Sequence, residues 1–105
     1  MKENGFVRVG ALVNKLYLGN VIENAKEISK EIKKAYKSGI SILVSPELSL
    51  TGYTCGDMFL QDKLISDSLE GLKCLLDQTK RLNIISIIGM PILVNNQLYN
   101  CGVVI

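Results

Sequence analysis

Between Asn20 and Gly39 the chain sorts its residues onto two sides of a helix. Val21, Ile22, Ala25, Ile28, Ile32, Ala35 and Tyr36 recur at helical spacing, while Glu23, Lys26, Glu27, Lys30, Lys33, Lys34 and Lys37 hold the opposite side. That arrangement predicts an amphipathic helix packed by one face. Asn20 is placed to cap its first turn, with Glu23 three residues on in a variant of the capping box. Lys33, Lys34 and Lys37 suit the negative end of the helix dipole, and Gly39 fits the left-handed position that follows. The charged side reads as a solvated face with no binding role.

Around this helix the pattern changes to short apolar runs. Residues 6–13 predict a first strand, and residues 40–44, Ile-Ser-Ile-Leu-Val, a second that is buried on both faces. A second helix is expected over residues 62–82, with Ile65, Leu69, Leu72, Leu75, Leu76 and Leu82 as its apolar stripe. Gly71 inside it costs about 1 kcal/mol relative to alanine, so it marks close packing. Residues 84–89 predict a third strand. Residues 92–94 and 98–105 flank Asn95-Asn96-Gln97, which reads as a hairpin or tight turn before a fourth. The order β-α-β-α-β-β makes the first three strands parallel, because the helices are crossovers between them. The pattern alone fits the start of a flavodoxin-like fold as well as that of a layered sandwich.

Composition narrows the chemistry. Twelve basic and ten acidic residues are mixed along the 105 positions, so no basic stripe points to nucleic acid and no charge block to a tail. No run of about 18 apolar residues predicts a membrane span, and the first residues lack the apolar core of a signal peptide. Cys55, Cys74 and Cys101 are irregularly spaced and read as reduced thiols of a cytoplasmic protein. Histidine is absent, which removes Ser-His-Asp and Cys-His catalysis and any histidine-based zinc site within these residues. The nine glycines form neither a dinucleotide fingerprint nor a phosphate loop. ATP therefore has no visible site here.

The most informative stretch follows the second strand: Ser45-Pro46-Glu47-Leu48-Ser49-Leu50-Thr51-Gly52-Tyr53. Ligands of open α/β sheets bind beyond the carboxyl ends of the strands. A carboxylate placed there is expected to sit partly desolvated at the rim of a site, where its pKa can be tuned toward base catalysis. Pro46 has no N–H, so sheet pairing is expected to stop and Glu47 to open the loop. Gly52 suits a turn that needs positive φ.

This stretch resembles the carbon–nitrogen hydrolase (nitrilase) superfamily, whose first catalytic residue is the Glu of a strand-ending Pro-Glu followed by a Gly-Tyr turn. The longer run Pro46-Glu-Leu-Ser-Leu-Thr-Gly-Tyr-Thr-Cys-Gly-Asp-Met-Phe-Leu60 is similar to the glutaminase domains of glutamine-dependent NAD(+) synthetases. Phe6-Val-Arg-Val-Gly10, Gly89-Met-Pro91 and Tyr99-Asn-Cys-Gly-Val-Val-Ile105 agree in order. The resemblance implies an α/β fold, the incomplete opening of a four-layer α-β-β-α sandwich, and places residues 1–105 as part of a glutaminase domain without its synthetase domain. It also implies a Glu–Lys–Cys triad in which Glu47 is general base, the Lys stabilises the oxyanion and the Cys attacks the amide carbon. The family's Lys follows the strand corresponding to residues 99–105 and its Cys lies further on, so only Glu47 falls among these residues.

Further expectations follow from the resemblance. Glutamine is the substrate, and ammonia passes to a synthetase domain that amidates deamido-NAD with ATP and magnesium; no cofactor or metal is expected in residues 1–105. Tyr53 and Phe59 would wall the glutamine pocket, although both rings could simply anchor the loop. Cys74 and Cys101 read as packing residues, and Cys55 as a loop residue that matches no nucleophile position. Asp57 reads as a cap and Asn100 as a strand-pairing residue. Residues 1–105 alone are expected to be inactive, and to self-associate through a sheet face left uncovered. Two rival readings stand beside this one: part of another nitrilase-type amidase, or a truncated, non-catalytic binding or assembly module.

Overall fold

The computed structural model describes residues 5–52 and 62–105. Four strands form one sheet: β1 (Val9–Ala11), β2 (Ile42–Val44), β3 (Ile85–Val94) and β4 (Gln97–Val104). They lie in the order β1-β2-β3-β4, parallel across the first two pairs and antiparallel at the last. Two helices, α1 (Val21–Lys37) and α2 (Asp62–Thr79), connect the parallel strands. The element order is the expected one.

Helix α1 starts as its sequence predicts. The Asn20 side chain accepts a hydrogen bond from the Glu23 N–H, and after the helix Gly39 takes φ +82°. Its charged side is solvated and laced by Glu23–Lys26, Glu27–Lys30 and Glu31–Lys34 pairs at 3.3–3.4 Å. Such exposed pairs contribute little, about 0.3–0.5 kcal/mol each. The buried side differs from expectation. Ile22 and Tyr36 are exposed, while Asn24 and Ser29 are buried beside Val21, Ala25, Ile28, Ile32 and Ala35.

Helix α2 departs further. It ends at Thr79, so Leu82 lies beyond it, and its buried residues are Leu64, Ser68, Gly71, Leu75 and Thr79. Leu69 and Leu76 of the expected stripe are exposed. Small residues win because α2 lies directly on α1: a Cβ at Gly71 would come within 2.5 Å of Val21 Cγ1. Ser68 and Thr79 tolerate burial by donating to the carbonyls of Leu64 and Leu75, at 2.8 and 2.7 Å.

The strands differ from prediction in length. β1 covers three residues rather than 6–13: among the described residues it pairs with β2, which ends at Val44, and Leu12 N–H to Val44 O at 2.9 Å is the last link between them. The strand expected over 84–89 begins at Ile85 and runs on through 92–94 as one strand. Pro91 does not break it, because the Gly89 N–H and C=O both face the segment after β2. Two residues on, the missing N–H of Pro91 faces that same side, away from β4, where no ladder bond is lost. Asn95 and Asn96 both take positive φ, as a two-residue hairpin turn requires, and Gln97 belongs to β4.

The core lies on one face of the sheet. Leu43, Ile88 and Met90 join Ile28, Ile32 and Leu75 from the helices in a single buried cluster. The alternate positions Val9, Ala11, Val44, Ile85 and Val104 are exposed on the other face. β2 is thus buried on one face, not both. No described helix is long and apolar enough to cross a membrane.

Candidate functional site

Glu47 sits where the sequence puts it, just past the carboxyl end of β2, at the start of a turn that runs through Thr51. The backbone around it is heavily constrained. Ser49 N–H donates to Pro46 O at 3.2 Å, Thr51 N–H to Leu48 O at 3.2 Å and Gly52 N–H to Leu48 O at 2.6 Å. Leu48 itself holds φ +49°, a left-handed conformation that costs a bulky residue about 1–3 kcal/mol and persists only where neighbours impose it. Gly52 takes φ +92°, as its place in the turn predicts.

Those neighbours are β3 and α1. Ser45 N–H donates to Ile87 O at 2.9 Å, continuing the line of β2. Gly89 then spends both of its backbone groups on the turn, its N–H donating to Ser45 Oγ at 3.1 Å and its carbonyl accepting from Leu50 N–H at 3.1 Å. A Cβ on Gly89 would meet Leu48 N at 2.5 Å and Pro46 O at 2.6 Å, so only glycine lets the turn lie this close. From the other side, buried Asn24 of α1 donates through Nδ2 to Leu50 O at 2.9 Å and to Tyr17 O at 2.8 Å, and accepts from Tyr17 N–H at 2.7 Å. Gly19 N–H adds a bond to Thr51 O at 2.9 Å.

Against this frame only Pro46 and Glu47 are exposed, while residues 48–52 are buried. Among the described residues Glu47 is thus exposed, an open acceptor on a constrained backbone. A shallow depression at the start of α1, lined by Leu18, Gly19, Asn20, Val21, Ile22, Lys63 and Asp67, does not include it. Tyr53 and Phe59, the expected pocket walls, lie outside the described residues, as do Cys55 and Asp57. Cys74 packs against the core from α2, and Cys101 stands opposite Met90 in the hairpin; both are free thiols. Asn100 pairs in register with Pro91. Among the described residues no three His, Cys, Asp or Glu side chains gather to hold a metal.

From the sequence alone, Ser45, Gly89 and Asn24 have no assigned task. Asn24 had a signal: it is a polar residue flanked by Val21, Ala25 and Ile28 on the buried side of the helix.

The family model of the carbon–nitrogen hydrolases matches residues 9–105. The chain is 31% identical over 103 residues to the glutamine-dependent NAD(+) synthetase of Mycobacterium tuberculosis (strain ATCC 25618 / H37Rv), covering 98% of this chain and 15% of that protein. With the synthetase of Arabidopsis thaliana the identity is 39% over 80 residues, covering 76% of this chain and 11% of the relative. The crystal structure of a glutamine-dependent NAD(+) synthetase from Cytophaga hutchinsonii superposes with a TM-score of 0.86 at 27% identity, covering 94% of this chain and 17% of that one. An amidase from Nesterenkonia sp. shares the fold at 18% identity and a TM-score of 0.64, covering 81% of this chain and 32% of its own. The matches thus span 11–15% of the length of the curated synthetases. Its β-α-β-α-β-β arrangement is the opening portion of a nitrilase-type fold. The chain belongs to the carbon–nitrogen hydrolase family.

Proposed function

We propose that residues 1–105 open the glutaminase domain of a glutamine-dependent NAD(+) synthetase, and that Glu47 is its general base. One observation carries the reading. In a chain similar to such synthetases along 98% of its length, the carboxylate of the strand-ending Pro-Glu stands exposed on a backbone pinned from two sides.

In this role the Glu47 carboxylate accepts the proton of a cysteine thiol, because the thiolate is the nucleophile. The thiolate attacks the side-chain amide carbon of glutamine, and a lysine stabilises the resulting alkoxide. Glu47 returns the proton to the leaving nitrogen and ammonia departs, leaving a thioester. Water then attacks the thioester, giving its proton to Glu47, and glutamate is released with the thiol restored. Neither the lysine nor the nucleophilic cysteine is among these residues. The ammonia is consumed in amidating deamido-NAD after adenylation by ATP with magnesium, in a separate synthetase domain. The setting is cytoplasmic, and residues 1–105 by themselves are inactive. The test uses the full-length enzyme: Glu47→Gln abolishes glutamine-dependent NAD synthesis and leaves ammonia-dependent synthesis in place. Loss of both together would make Glu47 a structural residue.

A further inference from the structure

Ser45 and Ser49 lie two residues before and two residues after Glu47. Their hydroxyl oxygens stand 2.7 Å apart in the protein interior, so the five-residue turn is closed on itself with Glu47 at its tip. The same Ser45 Oγ accepts the Gly89 N–H at 3.1 Å, which ties the closed turn to β3. A hydroxyl carries one hydrogen and two acceptor lone pairs, so it can serve both partners at once. Main-chain bonds share the work: Ser45 N–H and Leu50 N–H anchor the turn at its two ends, on Ile87 and Gly89, and Ser49 N–H to Pro46 O at 3.2 Å bridges the residues around Glu47. The hydroxyl pair adds a second closure one residue further out, and through Ser45 Oγ it is the one that also reaches the Gly89 N–H.

We infer that Ser45 is a positioning residue for Glu47: its hydroxyl, held between Ser49 Oγ and the Gly89 N–H, fixes the turn so that the carboxylate meets the thiol at proton-transfer distance. The inference rests on Glu47 being the general base. A base acts only within hydrogen-bond reach of its proton, and a misplacement of about 1 Å can cost about a hundredfold in rate. Without the Ser45 hydroxyl the Gly89 N–H loses its acceptor and the turn loses its Ser45–Ser49 closure.

The test compares Ser45→Ala, Ser45→Thr and Glu47→Gln in the full-length enzyme, following glutamine-dependent and ammonia-dependent NAD synthesis. Ser45→Ala is expected to lower the glutamine-dependent kcat by about tenfold or more with KM changed by less than about twofold, the pattern of a lost transition-state alignment. Ammonia-dependent turnover stays at the wild-type level, and Ser45→Thr, which keeps the hydroxyl, recovers most of the lost rate. Three results would overturn the inference: wild-type kcat in Ser45→Ala, a parallel fall in ammonia-dependent turnover, or a threonine variant no better than alanine. Full glutamine turnover in Glu47→Gln would instead remove the base on which the inference rests. An inactive Glu47→Gln beside a wild-type Ser45→Ala removes the positioning role alone.

Discussion

Gly71 of α2 stands so close to Val21 of α1 that a Cβ on the glycine would lie 2.5 Å from Val21 Cγ1. Carbon atoms rest about 3.5–4.0 Å apart at their optimum, so the helices touch backbone against side chain with no room for a methyl group. Alanine would gain about 1 kcal/mol of helix propensity over glycine. Overpacking costs about 1–3 kcal/mol, and Val21, buried and β-branched, has little freedom to yield. The clash should win. Gly71→Ala is expected to lower the urea midpoint of residues 1–105, and adding Val21→Ala should recover part of the loss. A midpoint raised by Gly71→Ala alone would show that the helices can separate at little cost.

Leu48 offers an inverted comparison. Its side chain is buried and its φ is +49°. Both Leu48→Ala and Leu48→Gly lose the buried side chain, about 2–5 kcal/mol for a large-to-alanine change. At ordinary positions glycine is then the worse of the two. Here the left-handed backbone penalises alanine, so Leu48→Gly is expected to be more stable than Leu48→Ala by about 1 kcal/mol. Denaturation of the two variants at one protein concentration decides it, and the usual order would mean the turn does not impose the strain.

Asn24 makes three hydrogen bonds and joins the Glu47 turn to α1. Asn24→Ala leaves Leu50 O and both backbone groups of Tyr17 without that partner. A buried group left unsatisfied costs about 1–3 kcal/mol. Because the loss is local, it should appear as faster amide exchange at Leu50, Thr51 and Gly52, by about tenfold for each 1.4 kcal/mol of lost protection. Exchange at Ile88 in the core should change less. Equal acceleration at both places would make Asn24 a global stability element with no special tie to the turn.

The elements themselves were legible because their signals are local. The Asn20 cap, the Pro46 stop, Gly52 in its turn and the Asn95–Asn96 turn need only their immediate neighbours in sequence. The burial of Ser68 and Thr79, and the exposure of Leu69 and Leu76, were not legible. Which side of a helix is pressed depends on what presses it, and a helical wheel knows only its own residues. The site divides the same way. Glu47 follows from a strand and a proline, whereas the Gly89 seat depends on a strand 42 positions away arriving alongside it. A long-range contact of that kind leaves no trace in spacing.

The face of the sheet opposite the helices is apolar and open. Register places Val9, Ile42 and Ile85 in one row across β1, β2 and β3, and Ala11, Val44, Ile87 and Val104 in a second row that continues into β4. None of these is fully buried, and Val9 and Val104 are each 65% exposed. Soluble monomers rarely leave a contiguous apolar patch beyond a few hundred Å2, on the order of 300–600 Å2 at most. Both outer strands add exposed apolar side chains to sheet edges that can pair with another copy. Residues 1–105 alone are therefore expected to self-associate at micromolar concentration. Val44→Thr with Val104→Lys should shift the distribution toward monomer, since each change breaks the apolar row without touching the helix-facing core. Sedimentation velocity across a concentration series checks both statements. A wild-type polypeptide that stays monomeric with a sharp thermal transition would show that this face is stable in water as it stands.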